Sequence, residues 1–180
     1  MEIVSKIKKA VTLFMQNPSE CIRIIKKYVM PMRKEYRRKW KMSLAQWVAY
    51  HQSNIVFTKC FWMGEPIRKN PMDAWIYQEI IHRVKPDVII EIGSAAGGGT
   101  LYFANLLDII GNGMVVSIDI DRTHFKIKHP RIIELTGSSA LPGIINKCAE
   151  ICLGKKVLIV HDGDHSYKAV LRDLYNYSKF

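Results

Sequence analysis

The chain has 180 residues, 48% of them hydrophobic, enough for one core and too little for two large domains. Its net charge is +11, yet residues 1–41 hold 12 Lys and Arg against 3 Glu, so the basic character belongs to one end. That asymmetry argues against a nucleic-acid surface spread over the fold, and no run of about 18 apolar residues exists to span a bilayer.

Residues 1–50 read as a basic amphipathic helical leader. Ile3, Ile7, Val11 and Phe14 share one helical face beside Lys6, Lys8 and Lys9, which also interrupt any secretory apolar block. Ile22, Ile25 and Tyr28 repeat the pattern before a basic run from Arg33 to Lys41, and Pro18 and Pro31 divide the segment. Two readings stay open for it: packing on its own domain or a second copy in a homo-oligomer, or peripheral contact with anionic lipid or a polyanionic substrate. Cys21, Cys60, Cys148 and Cys152 are scattered, and the Cys148/Cys152 pair has no second pair to complete a metal site. Reduced thiols in a cytoplasmic compartment are expected, with membrane association only under the second reading of the leader.

Residues 51–180 read as one domain in which strands alternate with helices. A helix is predicted over Asp73–Val84, capped by Asp73 and stopped by Lys85-Pro86. Asp87–Gly93 is short, β-branched and apolar on both faces, as a central parallel strand requires. A helix over Gly99–Ile110 follows, then strands Met114–Asp119 and Arg131–Leu135, a helix over Pro142–Cys152, a strand Lys156–His161 and a helix Tyr167–Tyr177. The alternation implies a doubly wound, Rossmann-like α/β sheet whose ligands bind beyond the carboxyl ends of the strands.

Three clusters carry chemistry. In Glu91-Ile-Gly-Ser-Ala-Ala-Gly-Gly-Gly-Thr100, Gly93 turns the chain sharply, and Gly97, Gly98 and Gly99 clear side chains where backbone and ligand approach. The spacing is not that of a pyrophosphate-binding turn, and Glu91 suits the cationic end of S-adenosylmethionine (SAM) better than a phosphate. Asp119, at the end of the second strand, stands where a carboxylate accepts ribose hydroxyls. Asp162, Asp164 and His165, after the fourth strand, form a cluster suited to Mg²⁺ and to acid–base work, beyond the helix cap that Ser166 supplies alone.

In order along the chain, Trp62-x-Gly64-x-Pro66-x-x-Lys69-x-Pro71-x-Asp73, Tyr77-Gln-Glu79, Lys85-Pro-Asp87, Glu91-Ile-Gly93, Val116-Ser-Ile-Asp-Ile-Asp121, His129-Pro-Arg131, Gly137-Ser-Ser139 and Asp162-x-Asp-His-Ser166 resemble the cephalosporin hydroxylase family over residues 55–178. That family comprises SAM-dependent, Mg²⁺-assisted O-methyltransferases related to rhamnosyl and macrolide-sugar methyltransferases. The resemblance implies a small-molecule or glycan acceptor and no nucleic-acid partner. It implies that Glu91, Gly93, Ser94 and Gly97–Gly99 hold the methionine end of SAM, that Asp119 binds the ribose, and that Ser138 and Ser139 lie near the adenine. Asp162 is implied as first metal ligand and catalytic partner, Asp164 as a cofactor or second-sphere partner, and His165 as general base; Tyr77 and Gln78 would help close the pocket. Relatives of this pattern continue into a fifth strand whose acidic pair completes the metal site, so in the residues given that site is expected to be incomplete. Two other functions fit the same pattern: a dinucleotide-dependent oxidoreductase, and a non-catalytic binding module.

Overall fold

The computed structural model describes residues 17–19 and 41–180. The chain divides into two compact units, Met1–Val48 and Ala49–Phe180. The expected amphipathic face of Ile3, Ile7, Val11 and Phe14 and the basic run from Arg33 to Lys39 lie outside the described residues. Helix α1 (Leu44–His51) opens with a reciprocal cap. Ser43 Oγ accepts from the Gln46 amide at 3.3 Å, and Gln46 Oε1 accepts from the Ser43 amide at 2.8 Å. A π-helical turn (Gln52–Val56) and a helical turn (Phe57–Lys59) follow. Among the described residues, no helix is long and apolar enough to cross a membrane.

Strands β1 (Phe61–Trp62) and β2 (Glu65–Pro66) form a short antiparallel hairpin. Its two-residue loop, Met63-Gly64, has positive φ at both positions, which matches the twist of the strands it joins. Helix α2 (Pro71–Val84) starts two residues before its predicted first residue. Its cap is Asn70, whose Oδ1 accepts from the Met72 amide at 3.0 Å, and not Asp73. Pro71 at the first helical position fixes φ without losing a hydrogen bond, and this moves the start upstream and leaves Asp73 in the first turn.

The remaining elements are β3 (Val88–Ile92), α3 (Gly98–Ile110), β4 (Met114–Asp119), β5 (Ile132–Thr136), α4 (Pro142–Cys152), β6 (Val157–His161) and α5 (Tyr167–Tyr177). The four longer strands are all parallel, in the order β5-β4-β3-β6. Strand β3 is central and every residue of it is buried. Val88, Ile90 and Ile92 face a cluster with Val116, Ile118, Ile144, Cys148 and Tyr177, on the α4 and α5 side. Ile89 faces the opposite cluster with Ile81, Tyr102, Phe103 and Leu107, from α2 and α3. Period-two alternation thus splits one apolar strand between two cores, each fully buried isoleucine contributing about 1.5–3 kcal/mol. Glu91, between Ile90 and Ile92, points into the α2/α3 layer. Cys60, Cys148 and Cys152 are free, and burial pushes the Cys148 thiol up to about 12, which makes it core and not a ligand.

Candidate cofactor site

The carboxyl ends of β3, β4, β5 and β6 meet at one rim, and the turn after β3 forms its apex. Gly93 donates its amide to Ile118 O at 2.8 Å and takes φ +87°, so the chain leaves the sheet in a conformation that favours glycine. A β-carbon there would overlap the Asp162 carbonyl, so the β3 turn and the β6 loop touch through bare backbone. The other glycines are needed for reasons the sequence did not reveal. A β-carbon at Gly97 would meet Phe125 and Ile127, one at Gly98 the Pro66 carbonyl, and one at Gly99 the Glu91 carboxylate and the Lys69 side chain. They clear space for the protein itself, and Gly97 and Gly98 line none of the cavities described below.

Asp119 ends β4 and grips the same turn. Its Oδ2 accepts from the Ser94 and Ala95 amides at 2.8 and 2.7 Å, and its Oδ1 from the Asp121 amide at 3.0 Å. Burial would raise its pKa, but these three donors outweigh it and hold the carboxyl below the usual value. Arg122, which the sequence reading passed over, is the second clamp. Its guanidinium donates to Ser94 Oγ (2.8 Å), Ser117 Oγ (3.0 Å), Ser117 O (2.5 Å) and Leu135 O (3.0 Å) and lies 4.6 Å over the Phe125 ring. Among the described residues, its buried Nε has no hydrogen-bond partner.

On the other side of Gly93, Glu91 is 1% exposed and accepts from the Thr100 hydroxyl. Burial pushes its carboxyl up to about 7, while the Lys69 charge and the Thr100 bond restrain the rise. Lys69 is 8% exposed, with Nζ 3.7 Å from Glu91 Oε1 and 2.5 Å from Asp162 Oδ2. Burial opposes its charge, yet Glu91 and Asp162 together hold the ammonium above the ordinary lysine value. The other Asp162 oxygen, Oδ1, lies 3.8 Å from His165 Nε2. His165 is exposed and lines no cavity of the three, and Asp164 spends Oδ1 on the Ser166 amide at 2.8 Å, bracing the start of α5.

Three cavities open around this rim. One of about 430 Å³ is lined by Gly93, Ile120, Ser138 and Ser139, with Asp119, Asp162 and Asp164 on its walls and Asp173 at its floor against one guanidinium, Arg172. Beneath it, buried Asp173 accepts from Ser139 Oγ (2.9 Å) and pairs with His161 Nε2 (3.1 Å), while Tyr177 donates to Ser139 O at 2.9 Å. Ser139 is therefore part of the floor, fixed from α5. A smaller cavity, about 160 Å³, carries Glu91, Ser94, Gly99, Lys69 and Asp162. A third, about 670 Å³, shares Ala95, Asp119 and Ile120 with the first and is bordered by Arg68, His124 and Lys126. Tyr77 and Gln78 border none of them; Tyr77 packs edge-on against Phe103 instead.

The acidic first cavity, with apolar Ile92, Ile118 and Ile120 beside its carboxylates, fits a cationic nucleoside and would repel a pyrophosphate. For a divalent ion the provision is partial. Asp162 offers Oδ1 alone, and among the described residues no group of three or more His, Cys, Asp and Glu could hold a metal.

A parallel β5-β4-β3-β6 sheet with an acidic crevice over its carboxyl ends defines a Rossmann-like fold of the class I methyltransferase type. Residues 54–180 match the family described as rhamnosyl O-methyltransferase/CmcI, and the chain belongs to that family. A rhamnosyl O-methyltransferase of Mycobacterium leprae (strain TN) is 32% identical over 130 residues, covering 69% of this chain and 57% of that protein. The chain thus spans little more than half the length of the curated relative it matches. A CmcI structure with SAH covers 77% of this chain and 71% of its own, with 18% identity and a TM-score of 0.56. A CmcI structure with Mg and SAM gives 0.55 over 77% of this chain and 61% of its own, again at 18% identity. These structures share the fold.

Proposed function

We propose that this chain forms the cofactor-binding part of a SAM-dependent O-methyltransferase acting on a hydroxyl of a sugar, polysaccharide-linked or secondary-metabolite acceptor. The observation that carries the reading is the 430 Å³ crevice at the strand ends, where four carboxylates, Asp119, Asp162, Asp164 and Asp173, face the Arg172 guanidinium. The family membership supports it, as do the relatives named as O-methyltransferases and the related fold described with Mg and SAM.

Bound SAM would supply an electrophilic methyl group, and bound Mg²⁺ a Lewis acid for the acceptor oxygen. The chain's own residues do the rest. Asp119, prefixed by three backbone amides, presents its carboxylate to the ribose hydroxyls without further reorganisation. Ser138 and the Ser139 backbone border the place expected for the base, and Gly93 lets the ligand lie close against the turn. Asp162 offers Oδ1 as one metal ligand. His165, beside it and open to solvent, takes the proton released by the acceptor hydroxyl. Isothermal titration of SAM into the 180-residue chain is expected to give one site with a micromolar dissociation constant, about −8 kcal/mol. Folded protein without measurable heat of binding would overturn the reading.

A further inference from the structure

Lys69 lies in the loop between β2 and α2, yet its ammonium sits against a carboxylate 93 residues away. A lysine so deeply buried is uncommon unless its charge is met. Here Glu91 and Asp162 meet it, and the rings of Tyr77 and Phe103 enclose it at 5.7 and 5.6 Å. Its path is prepared on every side. The hairpin register and the Ile67 amide bond to Cys60 O (3.1 Å) fix the chain just before it, and the Asn70 cap fixes it just after. Gly99 makes the room, since a β-carbon there would meet Lys69 Cε and Glu91 Oε1. Asp162 depends on this arrangement. It stands on a loop with its side chain 42% exposed, with the Lys69 ammonium on Oδ2 and the His165 ring more distant, 3.8 Å from Oδ1.

We propose that Lys69 is a positioning residue for the cofactor, a cation built into the chain that holds Asp162 and Glu91 in the arrangement that receives the amino-acid end of SAM. Cofactor binding then requires no divalent cation. The inference rests on the SAM reading above. It confines any divalent ion to Oδ1, the His165 side of Asp162, and confines that ion's part to the acceptor.

The experiment titrates SAM into the full 180-residue chain in EDTA and in millimolar Mg²⁺. The wild-type dissociation constants are expected to agree within about twofold, and a Mg²⁺ requirement of about tenfold or more overturns the proposal. Lys69→Met is expected to lose about tenfold in EDTA and to regain much of it in Mg²⁺, because a divalent ion can then take over Asp162. Lys69→Arg keeps the charge and is expected to stay metal-independent. Unaltered SAM affinity of Lys69→Met in EDTA overturns the proposal. So does a loss that Mg²⁺ leaves untouched in a variant with native near-ultraviolet circular dichroism, since that signature belongs to packing alone. Should Lys69→Met not fold, the wild-type comparison and Lys69→Arg decide. No SAM binding by the wild type under either condition refutes the cofactor reading itself.

Discussion

Asp119 ends β4 and Asp162 follows the last residue of β6, the two strands that flank β3, and they are held in opposite ways. Asp119 is fixed by backbone amides from its own turn and from the neighbouring glycine turn, with acceptor capacity left on Oδ1. Asp162 is held by one side chain delivered from the loop that follows a distant hairpin. An acid fixed by main chain keeps its orientation whatever side chains surround it, as long as the turn exists. An acid fixed by a lysine can be released by one substitution or by a competing cation. The first arrangement suits an unvarying partner such as a ribose, the second a position where charges are exchanged.

The contact between the two regions is the place to break this comparison most severely. Gly93→Ala would add a β-carbon at φ +87° against the Asp162 carbonyl, and should cost about 3 kcal/mol or more in urea unfolding. A loss below about 1 kcal/mol would show that the turn and the loop are not in backbone contact. Asp119→Ala comes next. It leaves three amides without their acceptor and should cost about 1–3 kcal/mol in the same assay, together with SAM affinity in calorimetry. Normal stability would mean that the carboxylate is not what holds the turn.

A pH-dependent effect concerns Glu91, whose pKa moves opposite to that of Asp119. Burial raises the Glu91 carboxyl from 4.5 to about 7, so the folded state holds that proton more tightly than the unfolded one. Its favourable contribution is complete below about 4.5 and is lost as pH rises through about 7. The difference in stability between wild type and Glu91→Gln should therefore shift against the wild type across that window, measured by urea unfolding at several pH values. A pH-independent difference would place Glu91 among ordinary carboxylates. Asp119, held low, should weaken the fold only below its usual value of 3.8.

The sheet was legible because its strands are short, β-branched and bounded by glycine or proline; β4, α4 and α5 have the limits read from sequence. What pattern could not show is what each glycine avoids. Gly97, Gly98 and Gly99 read as ligand clearance, whereas Phe125, Ile127, the Pro66 carbonyl and Lys69 fill those spaces. The hairpin escaped because two-residue strands carry no periodicity, and of its loop pair Met63-Gly64 only the glycine marks positive φ by residue type. Lys69 was visible within a motif but had no partner in sequence reach, since Asp162 meets it only through the parallel pairing of β3 with β6. Arg122 carried no signal in the sequence, because carbonyls of two strands and two hydroxyls converge on it only once β4 and β5 are in register.

That guanidinium has an evolutionary implication. By tying Ser94, Ser117 and the Leu135 carbonyl together, Arg122 welds three successive strand ends into one plate beneath the crevice. A plate of that kind can be inherited whole while the surrounding loops drift.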